Sequence, residues 1–156
     1  MRRFDFGLGA LLGMGARPAQ WLGPLLSLGI VPWLRVPHLR MEIDVAYALP
    51  MSDASRSNMI PLFGSLCYVP SALRLCTGVV TTFFLSEPGN DAMHTTLAAS
   101  MRLGAEFEIA GPASIRIDGF ALVPLGERSF GSELSTRDAQ DALMAGTSVT
   151  GVWSFE

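Results

Sequence analysis

His94 has the surroundings that acid–base chemistry would need, because hydroxyl and carboxyl side chains lie close to it in the sequence: Ser86, Glu87, Asp91 and Thr95. A histidine that takes a proton from a hydroxyl, with an acid orienting its ring, can support acyl transfer. No spacing motif links these residues, and a histidine in a polar loop is commonly only solvated. We therefore expect no catalytic residue here, and we expect the protein not to be an enzyme.

All eleven basic residues are arginine, because the 156-residue chain contains no lysine. Phosphate-loop, Schiff-base and general-base chemistry that depends on lysine is therefore excluded. A net charge of -3 without any basic run argues against a nucleic-acid partner. With 49% apolar and only 16% charged residues, the chain is also not a disordered one.

Cys67 and Cys76 flank a short turn at Ser71 and Ala72. With a two-residue loop, the cysteines lie directly opposite each other, as a non-hydrogen-bonded pair about 4.5 Å apart at Cα. That separation suits a disulfide in an oxidising compartment, so we predict this bond. The alternative is two unlinked small apolar side chains. Two cysteines and two widely separated histidines do not favour a zinc site, and we expect no metal and no cofactor.

The elements that position these residues are β-strands, because alternation of apolar and polar side chains is the dominant pattern. Residues 38–50, 96–109 and 114–125 each place apolar side chains on one parity and charged ones on the other. A transmembrane helix needs about 18 consecutive apolar residues. The best uncharged stretch, residues 18–34, contains three prolines and does not supply one.

We predict an all-β fold in which the whole chain forms one domain, an eight-stranded antiparallel up-and-down transmembrane β-barrel. The strands are predicted at residues 2–15, 21–36, 38–50, 58–70, 73–86, 93–110, 114–130 and 147–156. Short connections alternate with longer polar loops, so a meander collects the short turns at one end of the barrel. That asymmetry is typical of outer-membrane barrels.

Residues 1–19 have two interpretations. A secretory signal is one interpretation, because two arginines are followed by an apolar run and by the segment Ala16–Ala19. Alternation instead makes residues 2–15 the first strand. Asp5 and the glycine-rich run oppose a signal, so we expect a strand, with the export signal absent, trimmed or upstream of this chain.

The charged side chains separate cleanly when the apolar face is assigned outward. The lumen set then has six residues of each sign: Arg3, Asp5, Arg35, Arg40, Glu42, Asp44, Arg74, Arg102, Glu106, Glu108, Arg116 and Asp118. A lipid-facing arginine at the bilayer midplane costs about 2–4 kcal/mol, and side chains fill an eight-stranded lumen, where charges must be paired. We expect a closed, ion-paired lumen. The alternative reverses the faces and gives a soluble, lipocalin-like barrel that binds an apolar ligand.

Outward aromatic residues gather near the short-turn end, where we expect them to mark a membrane interface. They are Phe4, Phe6, Tyr68, Phe107, Trp153 and Phe155.

The last strand resembles the C-terminal assembly signal of bacterial outer-membrane barrels through Gly151, Trp153 and Phe155, although Glu156 follows the final aromatic residue. With the strand pattern, the chain resembles small outer-membrane barrels of the eight-stranded OmpA-like type. The resemblance implies a Gram-negative outer membrane, contact with its lipid and insertion by the barrel-assembly machinery. We expect a monomer with a structural or surface-interaction role. A lipid-modifying enzyme built around His94 is a further alternative.

Overall fold

The fold is that of a closed β-barrel in a computed structural model, which describes residues 4–15, 20–32, 36, 38–51, 58–85, 94–125 and 144–155. Within these residues the strands are β1 (Phe4–Met14), β2 (Gln20–Ile30), β3 (Leu39–Ala46), β4 (Leu49–Pro50), β5 (Asn58–Tyr68), β6 (Leu73–Leu85), β7 (His94–Ala110), β8 (Ala113–Pro124) and β9 (Met144–Phe155). No helix in the described part of the chain is long and apolar enough to cross a membrane.

Neighbouring strands are antiparallel and follow one another along the chain, and β1 pairs with both β2 and β9. This double pairing closes the sheet and leaves the first and last strands without a free edge. Because β3 and β4 share one position in the wall, the described segments form an eight-stranded barrel. The predicted fold class, all-β with an eight-stranded up-and-down barrel, is confirmed.

Pro24 interrupts the ladder between β2 and the segments β3 and β4. Both pair with β2 in one unbroken register. The Tyr47 amide donates to the Pro24 carbonyl at 3.1 Å, but Pro24 has no N–H with which to return the bond. The ladder therefore lacks one hydrogen bond, while the strand itself continues.

The second strand is shorter than predicted. It ends at Ile30 instead of residue 36, and the described residues between 31 and 38 lie outside any strand. Pro32 cannot donate to a ladder, and the Leu39 amide bonds to the Val36 carbonyl at 3.0 Å, which turns the chain into β3.

Further boundaries differ from the prediction. β5 ends at Tyr68 rather than residue 70, β8 ends at Pro124 rather than residue 130, and β9 begins at Met144 rather than residue 147. Residues 126–143 lie outside the described part of the chain. The interpretation of the N-terminal segment as a first strand fits the structure, since Phe4–Met14 is β1.

Burial alternates along the strands with a period of two, most cleanly in β2 and β8. The outward side chains are apolar and exposed, as at Leu8, Met101 and Ile117. The inward side chains divide the lumen into two halves. Charged residues fill the half near the short turns, and apolar residues fill the half near the long loops.

The apolar half is a packed plug. Its main cluster consists of Leu11, Leu25, Ala46, Phe63, Val80, Phe120 and Leu122. A second cluster of Trp21, Ala48 and Met59 lies nearer the long loops, with Phe84 and Met144 packed against it. Glycines on the inward parity make room for these large side chains, as at Gly146, where a Cβ would overlap the Phe120 ring.

Candidate functional site

Arg74 lies at the centre of the charged half of the lumen, fully buried. Its two terminal nitrogens donate to both carboxylate oxygens of Glu42, at 2.7 and 3.0 Å. Such a bidentate pair fixes both position and orientation. The remaining donors reach Asp118, at 3.2 Å from Nε, and Glu106, at 3.3 Å from Nη1. One guanidinium from β6 therefore links β3, β7 and β8 across the lumen.

Glu106 is a second centre of the network. It accepts hydrogen bonds from Arg40 at 3.1 Å, from Arg74 at 3.3 Å and from Arg116 at 3.4 Å. The Ser114 hydroxyl donates to its other oxygen at 3.0 Å. Three positive charges around one carboxylate compensate for its removal from water.

Two further ion pairs lie at the edges of this network, one toward β1 and one toward the apolar plug. Arg40 also donates to Asp5 of β1 at 3.1 Å. Near the apolar plug, Arg102 pairs with Asp44, and its guanidinium lies 4.4 Å from the centre of the Phe63 ring. This cation–π contact joins the charged half of the lumen to the apolar half.

The predicted lumen charges are in part brought together. The described members of the buried network are Asp5, Arg40, Glu42, Asp44, Arg74, Arg102, Glu106, Arg116 and Asp118. Glu108, predicted in the same set, is exposed near the end of β7, where the register between β7 and β8 shifts. Arg3 and Arg35 lie outside the described residues.

Small hydroxyl side chains complete the network, and the sequence reasoning missed them. Ser27 accepts a hydrogen bond from Arg116 at 3.3 Å, and Ser114 donates to Glu106. Both lie on the inward parity of their strands, at the level of the charged residues. That parity was the available signal, but serine is too common in strands for it to single these residues out.

The predicted disulfide between Cys67 and Cys76 is present. Both cysteines are buried in the lumen, where Arg74 Nη2 lies 3.8 and 3.7 Å from their sulfurs. The Glu42 carboxylate lies beside them as well. These three groups do not form a metal site, because the sulfurs are bonded to each other and Glu42 is held by Arg74.

The two histidines lie at opposite ends of the barrel. His38 is at the short-turn end, with its ring Nδ1 3.2 Å from the Val69 carbonyl and its ring edge against Tyr68. His94 begins β7 at the long-loop end, opposite Phe84. Its side chain lies outside the described part of the chain, as do three of its sequence neighbours, Ser86, Glu87 and Asp91.

The predicted interface aromatics lie on the outward parity close to the short-turn end of the barrel: Phe4, Phe6, Tyr68, Phe107, Trp153 and Phe155. Phe4 faces Phe155, and Phe6 faces Trp153, where β1 meets β9. Aromatic pairs across neighbouring strands stabilise the pairing.

The plug leaves little free space. A cavity of about 10 Å³ lies among the apolar side chains, which is room for about one water molecule. It is lined by Leu11, Gly13, Met59, Pro61, Phe63, Thr82, Phe120, Leu122 and Met144.

Comparisons with known proteins identify the fold and no closer relationship. No known protein family and no curated protein matches the sequence. Neisserial surface protein A is similar in structure, with a TM-score of 0.70 and 12% identity over 97% of both chains. The N-terminal β-barrel domain of Pseudomonas aeruginosa OprF has a TM-score of 0.58 and 11% identity, over 98% of this chain and all of that one. This chain therefore has the closed eight-stranded antiparallel barrel fold of outer-membrane barrels such as these two.

Proposed function

We propose that this protein is a bacterial outer-membrane β-barrel with a structural or surface-interaction role and a closed, ion-paired lumen. The observation that carries the proposal is the separation of charge from apolar surface across the barrel wall. Within the described strands, the ion-paired side chains lie in the lumen, and the outward face is apolar.

The outward face has the character of a lipid-contacting surface. Ile43 is 56% exposed, Leu75 51% and Leu103 60%, and similar residues surround the barrel. A water-soluble monomer rarely exposes a continuous apolar surface of this kind. In a bilayer the same side chains are matched by hydrocarbon, and the closed ladder satisfies the backbone hydrogen bonds of the strands apart from the one that Pro24 removes.

The orientation of the barrel in the membrane follows from its two ends. Outer-membrane barrels have short periplasmic turns and longer external loops. The β5–β6 and β7–β8 turns are short, whereas the β2–β3 connection at the same end spans residues 31–38; the two short turns assign that end to the periplasm. The outward aromatic residues near this end are expected at one of the two membrane interfaces, because aromatic side chains favour both.

The lumen supports a closed barrel rather than a pore. Arg74 and its carboxylate partners fill the half near the turns, and the cluster around Phe63 fills the half near the loops. The interactions of this protein would then be made by the external connections after β1, β4, β6 and β8. The proposal assigns no catalysis, metal or cofactor to the barrel.

The partners of the proposed barrel are outer-membrane lipid and, during insertion, the barrel-assembly machinery. In β9, Trp153 and Phe155 face outward beside Gly151, which supports the comparison with the C-terminal assembly signal. The closed ladder between β1 and β9 leaves no strand edge for self-association there, which favours a monomer.

The lipocalin-like alternative requires the apolar parity to face inward. In the described strands the exposed side chains belong to the apolar parity, and the cavity among the plug side chains, about 10 Å³, is too small for an apolar ligand. No specific observation favours a lipid-modifying enzyme.

Heat-modifiable gel mobility tests the proposal. The chain is refolded with and without detergent micelles and run with and without boiling. We expect a fast-migrating band that needs detergent and disappears on boiling. A compact, β-rich species that forms equally well in plain buffer would contradict the membrane assignment and restore the soluble barrel.

A further inference from the structure

The disulfide is enclosed by the barrel that it stabilises. Cys67 and Cys76 are 0% and 1% exposed, and Val69 packs with them at the short-turn end. Arg74 covers the sulfurs from the lumen side, because its Nη2 lies within 3.8 Å of both. A reductant or oxidant must approach a sulfur directly, since thiol–disulfide exchange proceeds by attack of one sulfur on another.

The cover over the disulfide belongs to the closed barrel and not to the hairpin that carries the cysteines. Arg74 lies on β6, but its guanidinium is held by carboxylates from three other strands: Glu42 of β3, Glu106 of β7 and Asp118 of β8. Before those strands assemble, nothing among these contacts fixes the guanidinium over the sulfurs. Closure of the barrel is therefore the event that encloses the bond.

The hairpin alone brings the two cysteines together. Only nine positions separate them, and they are direct partners in the ladder between β5 and β6. Hairpin formation is local and precedes long-range strand pairing in time. The thiols can therefore meet while they are still accessible to an oxidant.

We infer that the Cys67–Cys76 disulfide forms before the barrel closes and is then locked by closure, with Arg74 as its cover. One cysteine thiolate attacks a disulfide oxidant, giving a mixed disulfide and releasing one thiol of the oxidant. The second cysteine thiolate attacks the mixed bond and releases the other thiol. Two cysteine thiols lose two protons and two electrons, and the oxidant is reduced to two thiols.

The early bond has a structural consequence for the later barrel. It fixes the register of β5 against β6, and a slip of one residue would turn every side chain of a strand to the opposite face. Arg74, two residues before Cys76, is thereby held on the face that becomes the lumen. When a hairpin oxidised in this register joins the other strands, Arg74 is already on the face that will line the lumen.

The first experiment measures reduction of the folded, oxidised full-length chain in detergent micelles by dithiothreitol. Aliquots are quenched, unfolded and labelled with a maleimide-polyethylene glycol, so that a gel shift reports free thiols. We expect reduction to be about a hundredfold slower in the folded barrel than in urea, because it requires the barrel to open. Equal rates in the two states would overturn the locked disulfide.

The second experiment tests the order of events. The chain is folded with its thiols kept reduced and is then given oxidised glutathione. We expect the folded barrel to remain a dithiol while the same chain in urea is oxidised. A reduced chain that never reaches the fast-migrating band also supports the order, since closure then depends on the bond. Oxidation of the folded barrel at the rate of the unfolded chain would refute it.

A matched pair of variants tests the cover. Arg74→Ala removes the group that lies over the sulfurs, whereas Arg116→Ala removes an arginine of the same network that bonds to Glu42 and Glu106 instead. We expect native-state reduction to be about tenfold faster in Arg74→Ala than in Arg116→Ala. Equal rates in the two variants would remove Arg74 from the proposal. If either variant fails to fold, the wild-type rates decide the proposal on their own.

Discussion

At the scale of single residues, Glu42 shows how the cost of burying a charge in the lumen is compensated. It is fully buried and accepts hydrogen bonds from Arg74 and Arg116. Neither arginine can be left without a counter-charge at low cost, because a buried ion loses its hydration. The network is therefore a condition for the barrel to close in this register, even where the pairs themselves add little net stability.

Removal of the Glu42 charge should destabilise the barrel strongly. In Glu42→Gln the side chain keeps its size, but the two arginines lose a shared counter-charge, and the expected cost is about 3–5 kcal/mol. The urea midpoint of the heat-modifiable band in micelles measures it. Glu108→Gln at the exposed rim is the control, with an expected change of at most about 1 kcal/mol, because an ion pair of an exposed charge adds little stability. Equal shifts for the two variants would contradict the buried network.

Gly146 and Gly13 provide a second comparison at this scale, since they face each other across the β1–β9 ladder. A Cβ at Gly146 would overlap the Phe120 ring, while a Cβ at Gly13 meets nothing within 4 Å. We expect Gly146→Ala to cost about 1–3 kcal/mol through overpacking. Gly13→Ala should be neutral or stabilising by up to about 1 kcal/mol through the unfolded chain. The same urea series checks both, and the reverse ranking would contradict the packing of the plug.

At the scale of elements, β7 contains both the inward and the outward patterns. Arg102 points into the lumen, and its neighbour Leu103 is exposed on the outer face. The alternation of apolar and polar residues along this strand is enough to predict both orientations. The alternation does not predict the depth of each residue in the membrane, because that depth depends on how the strands are staggered around the barrel.

A charge introduced on the outer face of β7 should have a cost that depends on depth. Leu103→Arg lies within the apolar band and is expected to destabilise the barrel in lipid bilayers by about 2–4 kcal/mol. Ile109→Arg lies on the same face near the turn, where the expected cost is about 0–1 kcal/mol. Folding titrations in lipid vesicles measure both variants. If neither arginine had an effect, the outer face would be in water and the proposed location would be wrong.

Pro24 and Pro32, within and just after the second strand, show where reasoning from single elements failed. Pro32 follows the end of β2, so the strand stops earlier than alternation predicts. Pro24 lies within β2 and removes a single ladder bond. The sequence does not distinguish these outcomes, because the cost of the missing proline N–H depends on the residue that the register places opposite it.

At the scale of the whole molecule, the barrel is a closed ring whose interior is divided into an ion-paired half and an apolar half. The apolar plug lies toward the long loops and the charged network toward the short turns. A cavity among the side chains of the plug has room for about one water molecule.

The proposed closed lumen predicts an absence of ion conductance. Purified barrels reconstituted into planar lipid bilayers should give no channel steps, because Arg74 and the Phe63 cluster obstruct the axis from the two halves. Reconstitution is verified by the heat-modifiable band of the same preparation, and a known porin serves as the positive control. Reproducible conductance steps from the wild-type protein would contradict the closed lumen.

The sequence by itself determined which face of each strand is apolar, since period-two alternation follows from backbone geometry alone. It also determined the pairing of Cys67 with Cys76, because a short turn fixes the register of a local hairpin. Only the tertiary structure decided that Arg74 binds Glu42, Glu106 and Asp118, since these residues come from strands far apart in the chain. The charges that meet across a lumen are set by the closure of the barrel and by the stagger of its strands. The alternation within a single strand predicts neither of these.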